Sequence, residues 1–402
     1  MHTKLIGIAL ATSMAALVFV TGASTAPAQT TSLTVYSGRD AALVKPIMDR
    51  FTRETGVTLN VRYASSTSLA TALVEEGGNS PADVYWSQEP GTLGLVGARG
   101  LLARLPQKTV GRVPSRFSTP SRRWVGTSAR SRVLVYNTQS VPRQQLPASV
   151  WGLTNARWKG KIGVAPTNAS FQAFLGATIN LFGETRVRIW LRGLQSNDVR
   201  FYANNTAVVQ AVGRGDIEAG LVNHYYLYNV LADTPNLPIA NHWFRAGDPG
   251  NLVLAAGVGI VASTKTSPTA QRFVDFLHSK WAQRFIARGP GAAEYPVVKG
   301  VPRRPGLPAL TEIRGPKYNL GRLSADLAPA VRLLLELGYI KWGVARRQRP
   351  RRFAVARRSS SSWAPARSRS RRPSRSRTSD CERSRPTPTR GRSSLCRPQS
   401  SS

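Results

Sequence analysis

The feature that most constrains this chain is a repeated alternation of short apolar strands with amphipathic helices. "SLTVYS" alternates as a strand. "AALVKPIMDRFTRETG" then places Leu43, Ile47, Met48 and Phe51 on one helical face, closed by Gly56. "VTLNVRYAS" alternates again, "SLATALVEEGGN" reads as a helix, "ADVYWS" as a third strand and "GTLGLVGARGLLARL" as a further helix. After strand-like "RRWVGTSARSRVLVYNT" the pattern resumes with a strand at "KIGVAP" and helices at "FQAFLGATINLF", "RVRIWLRGL" and "TAVVQAVGRG". Strands follow at "IEAGLVN" and "NLVLAAGVGIVAST", and "SPTAQRFVDFLHSKWAQRFIA" reads as one capped helix. Such alternation predicts an α/β fold of mostly parallel sheets with helices on both faces. Ligands in these folds sit beyond strand C-terminal ends, at a topological switch point.

Charge marks off the ends. Residues 341–402 hold 19 Lys/Arg against 2 Asp/Glu, about half of the net charge of +36 over 402 residues. Their Arg/Ser/Pro repetition lacks the apolar content to fold and predicts a disordered tail. At the other end, "MHTK", the apolar run "LIGIALATSMAALVFV" and "APA" before Gln29 read as a cleavable export signal over 1–28. The apolar run is shorter than the roughly 20 residues that cross a bilayer. Both cysteines, Cys381 and Cys396, lie in the tail, so the body has no disulfide, thiolate ligand or thiol nucleophile.

Catalytic signatures are missing: no GxSxG, HExxH, CxxC or GxxxxGK[ST] occurs, and His224, His242 and His278 lack metal-type spacing. The chain reads as a non-enzyme. "GLVNHYYLYN" is the informative stretch, with Tyr225 and Tyr226 adjacent after a short apolar run. A phenol normally keeps its proton to a pKa near 10. A hard, highly charged cation displaces that proton, and hardness points to ferric iron, Fe3+. On a strand the two side chains face opposite ways, so both phenols meet only if the strand ends at an Asn223 cap and a helix starts there. Read alone, the pair fits ordinary packing better than ligation.

At this motif the chain resembles the bacterial ferric iron-binding proteins of ABC importers, a family of periplasmic substrate-binding proteins. "LTVYSGRD", "NSPADVYWSQEPG", "SARSRVLVYNT", "RWKGKIGVAPTNASFQAF", "YANNTAVVQAVGRGDIEAGLVNHYYL" and "GDPGNLVLAAGVGIV" carry the likeness in order over roughly residues 32–340. The resemblance implies a two-lobed, type II periplasmic binding protein fold with a hinge and a cleft. Its expected parts are an N-lobe over 29–130 and 252–300, a C-lobe over 131–251, and C-terminal helices over 301–340 packing on the C-lobe.

It also implies iron ligation by Tyr225 and Tyr226, and a synergistic anion, phosphate or carbonate, held by Asn168, Ala169, Ser170, Asn205 and Asn223. The turn opening the helix at Phe171 is an anion site in its own right, through free N–H groups and the helix dipole. Some relatives use histidine where this chain has Asp40, beside Arg39, and glutamate where it has Gln88, beside Glu89. Asp40, Gln88 and Glu89 are therefore candidate ligands, with solvated loop charge the alternative for the two acids, and Arg39 a candidate anion contact. Arg130 and Arg132 face either the cleft or solvent.

The expected partners are ferric iron and an inner-membrane permease, served by a periplasmic monomer with no specific nucleic-acid partner. Three rival readings stand beside this one. An oxyanion, polyamine or thiamine ligand would keep the fold, although a basic body suits polyamines poorly. The Arg-rich tail would bind polyanions non-specifically. That tail also resembles GC-rich DNA read out of frame.

Overall fold

The computed structural model describes residues 32–341. The export signal and, beyond Lys341, the basic tail lie outside the described residues. Parallel strands β1 (Ser32–Ser37), β2 (Thr58–Tyr63) and β3 (Val84–Ser87) alternate with helices α1 (Ala41–Thr55) and α2 (Ser66–Glu76). Helix α3 (Pro90–Ala98) and the short α4 (Gln107–Val110) lead into β4 (Val125–Asn137). Then come β5 (Ile162–Val164), α5 (Ala169–Phe182), α6 (Glu184–Ser196), β6 (Arg200–Phe201), α7 (Asn205–Arg214), β7 (Ala219–Asn223), α8 (Tyr225–Asp233) and β8 (Ile239–His242). The chain closes with β9 (Val253–Ile260), α9 (Ser267–Leu277), α10 (Lys280–Arg288), α11 (Leu310–Ile313) and α12 (Leu323–Glu336).

The strands run in the order β2-β1-β3-β9-β4-β7-β5-β6, with β8 also on β4. Every residue of β4 is buried. Its first half, through Ser131, pairs with β9, and its second half, from Arg132, pairs with β7 and β8. One long strand thus belongs to both halves of a two-lobed, mixed α/β fold. Pairings around β1 and β5 are parallel, and those made by β4 and β9 are antiparallel.

The helices bury the stripes that their periodicity dictates. α1 buries Val44, Ile47, Met48 and Phe51, with Leu43 only half-buried, and α6 buries Val187, Trp190, Leu191 and Leu194. The single helix expected over 267–287 is in fact two. Ser279 caps α10 by accepting from the Ala282 N–H at 3.1 Å, and His278 is buried between the carbonyls of Val274 and Gly126. A serine with a competing local hydrogen bond ends one helix and starts the next.

α12 packs mainly on α5 and, less extensively, on α3. Glycines permit this approach: a Cβ on Gly176 would lie 2.6 Å from the Asp326 carbonyl oxygen, and one on Gly91 2.5 Å from Leu327.

Candidate metal centre

The junction of β7 and α8 aims the two phenols. β7 ends at Asn223, and the helix opens at Tyr225. Leaving strand geometry removes the opposite-face alternation, so the rings of Tyr225 and Tyr226 stack with centroids 4.3 Å apart and planes at 29°. Both are buried. The expected asparagine cap is not made. Asn223 instead accepts from Arg132 Nη1 at 3.2 Å, and His224 fills the turn. His224 Nε2 donates to the Ala293 carbonyl at 2.7 Å, and its Nδ1 accepts from the Ser131 N–H at 3.2 Å. Burial drives its pKa down to about 4, so a neutral imidazole pins the turn.

Opposite the phenols stand the loops that follow β1 and β3, two parallel neighbours, at their C-terminal ends. Gly38 permits the crowding there, since a Cβ would fall 2.1 Å from Ser66 Oγ, which itself accepts from the Gln88 N–H at 2.9 Å. The Gln88 side chain reaches across. Its Nε2 donates to Tyr226 Oη at 2.7 Å and to Tyr225 Oη at 3.3 Å. One amide group thus marks the point on which both phenol oxygens converge. Turned over, the same amide would present Oε1, a hard neutral donor.

The two acids expected as ligand candidates are committed elsewhere. Asp40 is exposed and caps α1 by accepting from Ala42 N–H at 3.1 Å. Glu89 is fully buried and caps α3, accepting from the N–H groups of Gly91 and Thr92. Burial raises its pKa above the usual carboxylate range. Both carboxylates satisfy orphan amides at helix starts. Among the described residues no three His, Cys, Asp or Glu side chains gather as a metal site.

Three guanidinium groups wall this region. Arg130 and Arg132, for which solvated strand ends were one expectation, are fully buried in the shared strand β4. Arg132 also donates to the Leu221 carbonyl at 2.8 Å and lies 5.3 Å over the Phe174 ring. Burial pulls its pKa down to about 9, against the pull of both phenols. Arg39 Nη2 pairs with Glu294 Oε2 at 2.7 Å, and Arg130 Nη2 lies 3.5 Å from Glu294 Oε1. Burial works against the Glu294 charge, but Arg39 and Arg130 outweigh it and hold the carboxyl below its usual range. Nε of Arg39 and Arg132, all three nitrogens of Arg130, and Nδ2 of Asn223 have no hydrogen-bond partner.

The residues expected to hold an anion form a linked set on the tyrosine side. Asn168 caps α5, accepting from Ser170 N–H at 2.9 Å and from its hydroxyl at 2.7 Å. Asn205 Nδ2 donates to Ser170 Oγ at 3.3 Å and adjoins the Tyr226 phenol. The α5 amides are less free than the sequence implies, because Asn168 takes those of Ser170, Phe171 and Gln172. Ala169 is buried in the same first turn.

Arg132 was expected at the cleft or in solvent, whereas His224 and Glu294 were not among the expected site residues. "SARSR" carried a signal, since arginines two apart inside an apolar strand share one face. Glu294, distant in sequence and outside any helix or strand, carried none.

Comparison with known proteins bears on the same region. Residues 33–289 match the family model for bacterial extracellular solute-binding proteins. The chain is 33% identical over 335 residues to the Fe(3+)-binding periplasmic protein of Serratia marcescens, covering 83% of this chain and 97% of that one. Among solved structures it resembles iron-bound HitA from Pseudomonas aeruginosa, with a TM-score of 0.71 and 32% identity over 77% of this chain and 99% of that chain. It also resembles a Trichodesmium protein in complex with iron and citrate, with a TM-score of 0.62 and 27% identity over 77% and 100%.

Proposed function

Because the chain belongs to the ferric iron-binding group of bacterial extracellular solute-binding proteins, we propose that it binds Fe3+ through the phenolates of Tyr225 and Tyr226 and delivers it to a membrane permease. The observation that carries this reading is the convergence of both phenol oxygens on one amide of the opposing loop. Burial, then the neighbouring Tyr225 phenol, raise the Tyr226 pKa well above 10, so this phenol is protonated until a hard cation displaces its proton. Two phenolates leave about one positive charge on Fe3+, and an anion such as phosphate or carbonate neutralises it. Arg39, Asn223, Asn205 and the first turn of α5 at Asn168, Ala169 and Ser170 would hold that anion. Gln88 completes the shell once its amide turns over.

The lobes proposed are 29–130 with 252–300, and 131–251, hinged at β4 and the segment before β9. Iron favours the closed form because only there do Gln88 and the phenols meet. The protein works as a periplasmic monomer with no catalytic step.

Addition of a ferric salt to the purified protein tests the reading. A visible phenolate-to-iron absorption band is expected, and its absence would overturn the proposal. The partnerless guanidinium nitrogens favour one second reading, an oxyanion ligand without metal. Tight phosphate or sulfate binding with no ferric band would select it.

A further inference from the structure

Residues 293–295 tie three parts of the site together. The Ala293 carbonyl accepts from His224, the residue before the two tyrosines. Tyr295 exchanges two backbone hydrogen bonds of 2.8 Å with Ala129 of the shared strand and lays its ring 4.9 Å from that of His224. Between them, Glu294 Oε2 accepts from Arg39 Nη2 at 2.7 Å and from Ser128 Oγ at 2.8 Å. Glu294 Oε1 has no hydrogen-bond partner and lies 3.5 Å from Arg130 Nη2. One fully buried carboxylate therefore touches the loop after β1 and the shared strand, while its neighbours hold the turn that aims the phenols.

We infer that Glu294 is a positioning residue for the ferric site, holding Arg39 away from the phenolate oxygens and offsetting the positive charge behind them. The inference rests on the ferric reading above. Arg39 is the pivot, because its charge acts on both phenols as well as on Glu294. With Glu294 in place, one terminal nitrogen of Arg39 is engaged by the carboxylate. Without it, two buried guanidinium groups stand unopposed next to a site that must accept a trivalent cation. Arg39 would then be free to turn a donor to the phenolates, with which its charge already interacts. A phenolate that accepts from a guanidinium donates less to iron, so its charge-transfer energy rises. The added repulsion also speeds loss of the metal.

Spectra and chelator-driven iron removal, measured on the iron-loaded full chain, test this. Glu294→Gln keeps shape and removes charge. We expect its band to move to shorter wavelength and its iron to leave roughly tenfold faster or more, a change of about 1.4 kcal/mol. Tyr295→Phe perturbs the same segment without charge, losing the hydroxyl bond to the Pro308 carbonyl. It should keep the wild-type band and release rate.

A wild-type band with Glu294→Gln unmoved, or Tyr295→Phe moved as far, overturns the inference and leaves the ferric reading standing. No band in the wild type overturns both. Should Glu294→Gln fail to fold, Ser128→Ala decides. It removes one hydrogen bond to the carboxylate and should shift the band the same way by less, and no shift overturns the inference.

Discussion

Gln88 and Tyr226 meet across the cleft, Nε2 donating to the phenol oxygen at 2.7 Å, although they lie 138 residues apart in the chain. The contact joins the loop after β3 to the start of α8, so it forms only when the two halves are together. Gln88→Leu should preserve the fold and weaken iron binding roughly tenfold, the scale of one lost hydrogen bond. Gln88→Glu adds a hard anionic oxygen at the same place and should tighten it. Competition against a calibrated chelator measures both.

In the proposed ligation the tyrosines set the spectrum. Tyr225→Phe and Tyr226→Phe should each weaken or abolish the visible band and lower ferric affinity by more than about 100-fold, beyond the cost of losing an outer-shell partner. Titration of each variant with ferric salt, followed by absorption, checks this.

Iron uptake should release protons. Phenols ordinarily keep their protons at neutral pH, and burial raises the Tyr226 pKa further, so each Fe3+ held by two phenolates displaces about two protons. The sign follows: affinity falls as pH falls, by about two decades per unit where both phenols are displaced. A pH-stat measurement counts the protons.

The empty protein should lose stability in acid through His224. Burial puts its folded pKa at about 4, below the usual 6.5, so its contribution is complete above pH 6.5 and is lost as pH falls toward 4. Protonation would set an Nδ1–H against the Ser131 N–H that now donates to it. The loss reaches about 3 kcal/mol. Chemical denaturation at pH 8 and pH 4.5 measures it, and a His224→Gln variant should show a flatter dependence.

Close helix packing supplies a test of the scaffold. Gly176→Ala places a methyl 2.6 Å from the Asp326 carbonyl oxygen, a backbone atom that moves only with α12. Overpacking of this kind costs about 1–3 kcal/mol, visible as a lower thermal midpoint.

Much of this protein was legible in the sequence because strand and helix periods are local. β1, β3, β7 and the burial stripe of α6 follow directly from residue spacing. The break at Ser279 escaped because a capping serine competes with helix continuation over a single residue. The adjacent tyrosines and the strand end at Asn223 were visible, and with them the convergence that two phenols require.

Charge pairing was not. Asp40 and Glu89 looked free in sequence and are helix caps, whereas Arg130 and Arg132 admitted solvent and are buried. Whether a charged side chain faces a ligand, a helix end or water depends on partners brought from distant segments. Glu294 reaches Arg39 across 255 residues of chain. The sequence alone therefore determined most of the elements and the adjacency of the two phenols, since short-range periodicity and chain order govern those. Only the tertiary structure decided which charges surround them, because long-range folding alone assigns each buried charge its partner.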